Sequence, residues 1–553
     1  MYFTLAVSAA TPQACDALAE AAERTDPRVM PIPGPARVAW RAPGGRAAVL
    51  HWGDADSLGR SHASLGRSHA GTIWGDGATV HARTGLARVD PVYLAEVADA
   101  VVVSDRACWV AAVTGRLGDP DPVMAGAFLS LGYPVGAATP FSDVRALGSD
   151  MALRLADGQL AMGRARPRKE RPAGADRVAG ALTEAVRPLG EADAPVELSL
   201  TGGKDSRLVA AALTAARVPF RTRTHGFAGH PDVVVAGLIA RKLGVEHTVT
   251  QPKPPGAPDE LDVLGRLRAA VLVSDGMLSA FENVGRPDPR AAGGPAEAGG
   301  HGGELLRGGY AQAAWRTPAA LGAAAAPLGA AAAPLSAAAA AELFRRMTTR
   351  RLRLLRPGPA RAYLASLAPQ AAALARGPLA ALDDFYLVNR AGRWSAAARQ
   401  AYLIRSPLIQ PLFADPVVRA ARDVPLRDRM SDRLHRDVLG VLCPELLGLP
   451  LAGTPWHGEP RTAATVLTAP PGAAAADWRR DYGDAVAGFL RGYVLDHGEA
   501  SPVFGIVRRS AAERLLRAPQ ADRHGAWALA TLAALLSGDW LNAREPASRA
   551  LLG

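Results

Sequence analysis

Cysteine is nearly absent from this sequence of 553 residues. Cys15, Cys108 and Cys443 lie far apart and form no CxxC pair. That excludes a disulfide framework and a cysteine zinc site, and it points to a cytosolic chain. Lysine is almost as scarce: Lys169, Lys204, Lys242 and Lys253 are the whole set, and none follows position 253. The formal charge of +11 is therefore carried by arginine, as in the product of GC-rich coding DNA. Either the surface is biased in composition, or an anionic partner such as a nucleotide or an acidic peptide draws on it. Zinc-finger spacing and aromatic–basic RNA motifs are missing, so nucleic acid has no direct support. No apolar run reaches the roughly 20 residues of a membrane span. The opening MYFTLAVSAATPQACDALAEAAERTD lacks the basic region of a signal peptide. The expectation is a cytoplasmic protein without a membrane span.

What is present is globular: 49% of residues are hydrophobic and 21% charged. At roughly 100–200 residues per domain, the length predicts two to four domains. Residues 1–165 form a β-rich unit, in which ARVAW, AAVLHW, ATVHAR, AVVVSD and MALRLADGQLAM read as strands. The basic, proline-containing RARPRKERPA at 164–173 reads as the linker to a second domain over 166–553. There, VELSL, a helix from about Lys204 to Ala216, PFRTRTHGF, a helix across DVVVAGLIARKLG and HTVT alternate, which predicts a parallel sheet with crossover helices. From about 340 the pattern turns helical, clearest in RLHRDVLGVLCPELL and HGAWALATLAALLSGDWLNA. SLGRSHA stands twice at 57–70 and LGAAAAP twice at 321–334. Both read as duplicated surface loops rather than a solenoid, and His62 and His69 as part of a copied loop rather than a metal pair.

The chemistry concentrates at Thr201-Gly202-Gly203-Lys204-Asp205-Ser206, which follows VELSL and opens a helix. The first N–H groups of a helix lack intrahelical partners and carry the positive end of its dipole, so this corner suits a phosphate. Glycine allows close backbone approach and turn conformations closed to other residues. Thr201 and Ser206 add hydroxyls and Lys204 a charge. Asp205 would repel a bare phosphate, and a Mg²⁺ shared between Asp205 and phosphate oxygens explains it. The Walker pattern GxxxxGK[ST] is absent.

The corner resembles the SGGxDS signature of the pyrophosphate-loop ATP pyrophosphatases, with Thr201 in place of the first serine. That resemblance implies cleavage of ATP between its α and β phosphates. The segment THGFAGHPDVVVAGLIARKLGVEH at 224–247 is similar to the next unit of the asparagine synthetase branch, and GHGGELLRGGY at 300–310 resembles that branch's G-x-G-x-D-E-x-x-G-G-Y stretch. Gly300, Gly302, Gly303, Gly308, Gly309 and Tyr310 match it without a gap. The resemblance implies adenine near Ser199 and His225, phosphates on 201–206 and at Gly300 and Gly302, and Mg²⁺ on Asp205 and Glu304, the latter standing where the family has aspartate.

His301 occupies the position of a catalytic tyrosine or glutamate in related enzymes. It reads either as the base that takes a proton from an attacking amine or as a loop histidine touching nucleotide only. The family's late lysine has no counterpart here. Arg390 and Arg393 in DDFYLVNRAGRW are the candidates for its charge-stabilising role, and Asp383 and Asp384 for holding an amine; the same four residues also fit a solvated helix face. The N-terminal unit resembles, over 101–160, an Ntn-hydrolase glutaminase half. Position two holds Tyr2 rather than the nucleophilic cysteine, which predicts an inactive glutaminase and an amine supplied by the substrate itself.

The fold expected is thus α/β: an inactive glutaminase-like β-rich sandwich, then a pyrophosphate-loop synthetase with a parallel sheet and a helical C-terminal part. The chain looks most similar to lasso peptide cyclases, on the strength of LTGGKDSR, GHGGELLRGGY, SDGMLSAFE and DDFYLVNRAGRW. That resemblance implies ATP-dependent macrolactam formation, a precursor core peptide as substrate, and a leader peptidase and leader-binding protein in the same pathway. The helical C-terminal region and the Ala-rich insert would wall the peptide cavity. β-Lactam synthetases and other small-molecule amide ligases share the motifs, and a tRNA-modifying pyrophosphatase or an inert binding scaffold stand as readings from other classes.

Overall fold

A period-two alternation of side chains builds the N-terminal half. The computed structural model describes residues 2–25, 29–30, 35–53, 72–164, 174–191, 194–251, 262–282, 296–320, 332–404, 408–468, 483–496 and 501–542. The linker beyond Arg164, the repeat at 57–70 with His62 and His69, and residues 321–331 of the repeat at 321–334 lie outside those residues. Among the described residues ten strands precede the linker: β1 (Tyr2–Ala9), β2 (Ala36–Arg41), β3 (Ala47–Gly53), β4 (Thr72–Asp76), β5 (Thr79–Arg83), β6 (Tyr93–Val97), β7 (Ala100–Ser104), β8 (Arg145–Ala146), β9 (Met151–Ala156) and β10 (Gln159–Arg164). They form two antiparallel sheets, ordered β2-β3-β1-β7-β6-β8 and β10-β9-β5-β4. Ala6, Val49, Leu94, Val101 and Val103 of the first sheet meet Val80, Leu153 and Leu155 of the second. The alternate residues Leu5, Val7, Leu50 and Val102 turn to the other face. There they pack with the helices Pro12–Glu23 and Ala107–Val113.

The five expected strands are present, and MALRLADGQLAM is a hairpin turning on Asp157 (φ 49°) and Gly158 (φ 72°). The structure adds β1, β4, β6 and the two-residue β8, which those five stretches leave out. The omission of β1 is the largest, because β1 lies inside the first sheet, between β3 and β7.

The second half follows the expected alternation. Parallel strands β11 (Val196–Ser199), β12 (Phe220–His225), β13 (His247–Thr250), β14 (Glu297–Gly299) and β15 (Leu408–Ile409) are ordered β13-β12-β11-β14-β15. Helices Lys204–Ala215 and Pro231–Leu243 carry the first two crossovers. The later region is helical, with shorter helices than the sequence suggests. Arg433–Leu442 stops before Pro444, and Arg523–Ser537 stops at Gly538 (φ 78°). Among the described residues no helix is long and apolar enough to cross a membrane.

The two halves share one hydrophobic core. Trp109 and Phe128 of the first pack in the same cluster as Leu267, Leu272, Trp527 and Leu529 of the second. At its centre Arg106, fully buried, pairs with the equally buried Asp275 and donates to Leu272 O at 2.6 Å, while Asp275 Oδ2 accepts from Ala107 N at 2.7 Å. Asp275 holds a left-handed conformation (φ 53°) that asparagine also tolerates. Asp275→Asn should therefore remove the charge alone and leave Arg106 buried without a counter-ion. The expected cost is about 3–5 kcal/mol, read as a lower urea midpoint; an unchanged midpoint would show that the pair contributes nothing.

Candidate active site

Strand order places the site. From β11 the chain steps to β12 and β13 on one side, then returns to lay β14 and β15 on the other. The connections leaving β11 and β14 therefore part company at the carboxyl edge, which opens a crevice between neighbouring strands. Both sequence motifs lie there: residues 201–206 leave β11, and residues 300–304 leave β14.

The first motif is a cage closed by its own hydroxyls. Thr201 N donates to Ser206 Oγ at 3.0 Å, Thr201 Oγ1 lies 3.0 Å from Ser206 Oγ, and Gly203 N donates to Thr201 Oγ1 at 3.3 Å. Gly202 N donates to Asp232 Oδ1 at 2.9 Å, and Gly202 O accepts from Ala452 N at 2.9 Å. A Cβ on Gly202 would come within 2.6 Å of Ala452 Cβ and 2.8 Å of Val235 Cβ. Neither Gly202 nor Gly203 has a positive φ. Gly202 serves close packing, and neither glycine makes the left-handed turn that the sequence allows. A Cβ on Gly203 would meet only Thr201 Oγ1, at 3.3 Å, so that face of the loop is open.

The second motif is pressed onto the first. A Cβ on Gly300 would lie 2.5 Å from Ser206 N, and one on Gly303 would overlap the Asp205 carboxyl group. Gly302 (φ 100°) does need left-handed backbone, and it lies flat against Phe413. Asp205 Oδ2 accepts from Arg307 at 2.7 Å, whereas Asp205 Oδ1 is buried without a hydrogen-bond partner. Burial pushes the Asp205 carboxyl above the usual carboxylate range, against the pull of Arg307 and Lys204. A cation at Oδ1 would relieve that orphaned oxygen. The charges of Glu304 and Asp205 both act on His301 and Arg307. Among the described residues no cluster of three His, Cys, Asp or Glu side chains stands ready for a metal. Two carboxylates completed by phosphate oxygens and water fit Mg²⁺, which seldom takes an all-protein cage.

Lys204 points elsewhere than its place in the loop suggests. Its Nζ donates to Asp432 Oδ2 at 2.6 Å and to Pro455 O at 2.9 Å, and it lies 4.9 Å from the centre of the Trp456 ring. Burial lowers the Lys204 pKa. Burial also opposes the ionisation of Asp432, yet Lys204, Arg316 and Gln312 bring its carboxyl down to about 2. Behind Asp205 stands His435, fully buried, with Nε2 3.2 Å from Lys204 O; burial lowers its pKa to about 3.

Ser199 and His225 sit exposed at the ends of β11 and β12, Ser199 opposite Gly299 and His225 Nδ1 3.2 Å from Thr250 Oγ1. His301 reaches solvent, but protein atoms crowd its ring, and this desolvation lowers its pKa against the charges of Glu304 and Asp205. The charge of Arg390 acts on His301 from another side.

The helix Pro378–Phe385 and the π-helical stretch Tyr386–Ser395 sort the remaining candidates. Arg390 stays with the site. Arg393 does not: it is buried, lies against Tyr93 and donates to Ala138 O. Asp383 is buried between Arg429, at 2.6 Å, and Arg422, at 3.3 Å. Asp384 is exposed and paired with Arg422. Neither acid is free to grip an amine. Arg307 lies inside GHGGELLRGGY at a position the motif leaves unmarked, and no local pattern in the sequence announces Asp432 or His435.

A comparison with protein-family models matches residues 177–537 to one described as asparagine synthase. No curated protein matches the chain.

Proposed function

The chain belongs to the asparagine synthase family, which makes it an ATP-dependent ligase, and we propose that it closes a macrolactam in a ribosomally made peptide. The observation that carries the ligase chemistry is the contact of the two glycine motifs around Asp205. On this reading the peptide's Asp or Glu side-chain carboxylate attacks the α phosphorus of ATP. The bond from α phosphorus to the bridging oxygen breaks, and pyrophosphate leaves toward the open face of Gly203 and the first-turn N–H groups of Lys204–Ala215. Asp205 and Glu304 would hold Mg²⁺, which neutralises phosphate charge when bound. Arg307 holds Asp205 in place and favours its charged form against the burial that raises its pKa.

The peptide's N-terminal amine then attacks the acyl carbon, AMP departs, and the amine gives up its proton. His301 suits that last task. Its lowered pKa leaves it neutral near pH 7, and the charges of Glu304, Asp205 and Arg390 all act on it. The N-terminal half fits a role without ammonia release. Cys15 and Cys108 are both fully buried, and burial pushes the Cys15 thiol up to about 11 and the Cys108 thiol further still. Neither serves as a thiolate nucleophile there. We read this half as an inactive glutaminase-like domain, the substrate as a core peptide released by a leader peptidase and leader-binding protein, and the setting as the cytoplasm.

Incubation with a leaderless candidate peptide, ATP and Mg²⁺ tests the reading. A product lighter by one water, with AMP released, supports it; ADP as the co-product would sink it, and condensation confined to a small amino acid would leave only the ligase class. His301→Phe should slow amide formation by roughly 10²–10⁴-fold, with carboxylate activation preserved. A normal rate and pH profile in that variant would clear His301 of base duty.

A further inference from the structure

One aromatic side chain in the wall of the crevice comes from the N-terminal half. Tyr133 is 1% exposed, and its Oη lies 2.8 Å from Oη of Tyr310, the last residue of GHGGELLRGGY. Tyr310 stands edge-on to Tyr386, with ring centres 5.1 Å apart. Tyr386 is itself seated on Gly309, where a Cβ would fall 2.5 Å from its Cγ. Above these rings lies Arg390, half-buried, its guanidinium 3.5 Å from the centre of Trp394 and 5.8 Å from that of Tyr133. Among the described residues no carboxylate pairs with Arg390.

The same N-terminal loop grips the π-helical stretch on both sides of Arg390. Gly136 N donates to Asn389 Oδ1 at 2.8 Å, and Asn389 is 1% exposed. Arg88 donates to Gly136 O at 3.3 Å, and a Cβ on Gly392 would come within 3.0 Å of Arg88 Cβ. Arg393 donates to Ala138 O. A half-desolvated guanidinium clamped by two aromatic faces and denied a protein carboxylate is arranged for an anionic oxygen from outside.

We propose that Tyr133 is a positioning residue of the ligase site, holding Arg390 over the crevice so that its guanidinium meets the oxyanion formed when the amine attacks the acyl adenylate. This rests on the ligase reading above. As the N–C bond forms, the carbonyl π electrons move to oxygen. Arg390 stabilises that charge until the oxygen lone pair re-forms the carbonyl and expels AMP, and the amine proton leaves on the base. The carboxylate is activated before any such oxyanion exists, so Tyr133 and Arg390 act on the second half of the reaction only.

The two halves can be measured apart on the full chain. A synthetic peptide with an internal aspartate or glutamate and an acetylated N-terminus reports activation through ATP–pyrophosphate exchange; the same peptide with a free amine reports amide formation. Arg390→Gln and Tyr133→Leu should keep exchange within about threefold of wild type yet slow amide formation about a hundredfold. Tyr133→Phe, which retains the ring and loses only the hydroxyl, should lie between, at about tenfold. Equal loss of both activities in Tyr133→Leu, with Tyr133→Phe at the wild-type rate, would reduce Tyr133 to a packing role and overturn the proposal. Exchange in wild type with amide formation unaffected in all three variants would overturn it alone. Absence of exchange in wild type would overturn the ligase reading and the proposal with it.

Discussion

Asp205→Asn lowers the rate of AMP formation at least about a thousandfold, and lowers ATP–pyrophosphate exchange equally. The substitution keeps the shape of the side chain and removes the charge. Two partners then lose an anion. Arg307, now 2.7 Å from Asp205 Oδ2, is left crowded by protein without its counter-ion. The oxygen equivalent to the orphaned Oδ1 can no longer attract a divalent cation strongly. These losses separate experimentally. Adding Arg307→Gln to Asp205→Asn should recover part of the lost stability, because the unpaired guanidinium is gone, while the rate stays down. Full activity in Asp205→Asn would remove the metal role. Recovery of rate in the double variant would show that Asp205 served only to neutralise Arg307.

Gly303→Ala should cost nearly as much for a different reason. Gly303 has an ordinary backbone conformation that alanine adopts without strain. Its absent side chain, however, is the space in which the Asp205 carboxyl group sits. One methyl group must displace that carboxylate or the first helical turn that carries it. A displacement near 1 Å is enough to lose about a hundredfold in rate. Overpacking of this kind costs about 1–3 kcal/mol in stability, so the melting transition should move modestly while the rate collapses. A rate within a few-fold of wild type would mean that Asp205 is free to swing aside and that its present position is not the working one.

The site was legible in sequence where its chemistry is local. The strand–turn–helix at 196–215 and the glycine motif at 300–310 are each one contiguous stretch, and the doubly flanked β11 brings them together as the alternating pattern implies. What the sequence could not convey is direction. Lys204 sits inside the loop but is drawn away by Asp432, 228 positions along the chain. Asp383 and Asp384 look equivalent as neighbours, yet one step along a helix turns the first into a buried arginine pair and the second to solvent. Arg390 and Arg393 would share a face on an α-helix. The widened i→i+5 turn of Tyr386–Ser395 splits them, leaving one at the crevice and the other in the junction with the N-terminal half. Gly202 and Gly203 suggest phosphate contact in the sequence, but the reason Gly202 needs no side chain is Ala452, on a short strand about 250 positions further along.

The shared core around Arg106 and Asp275 bears on how such a chain can change over evolutionary time. The recognisable family segment begins at 177, but the hydrophobic cluster that supports its later helices is completed by Trp109, Phe128 and their neighbours. Deleting the first half would strip one wall from the second and expose apolar surface on helices such as Val263–Ser274 and Arg523–Ser537. A lineage in which the N-terminal half had lost every activity of its own could still not discard it. Whatever chemistry that half does or does not carry, its mass is part of the fold of the ligase half beside it.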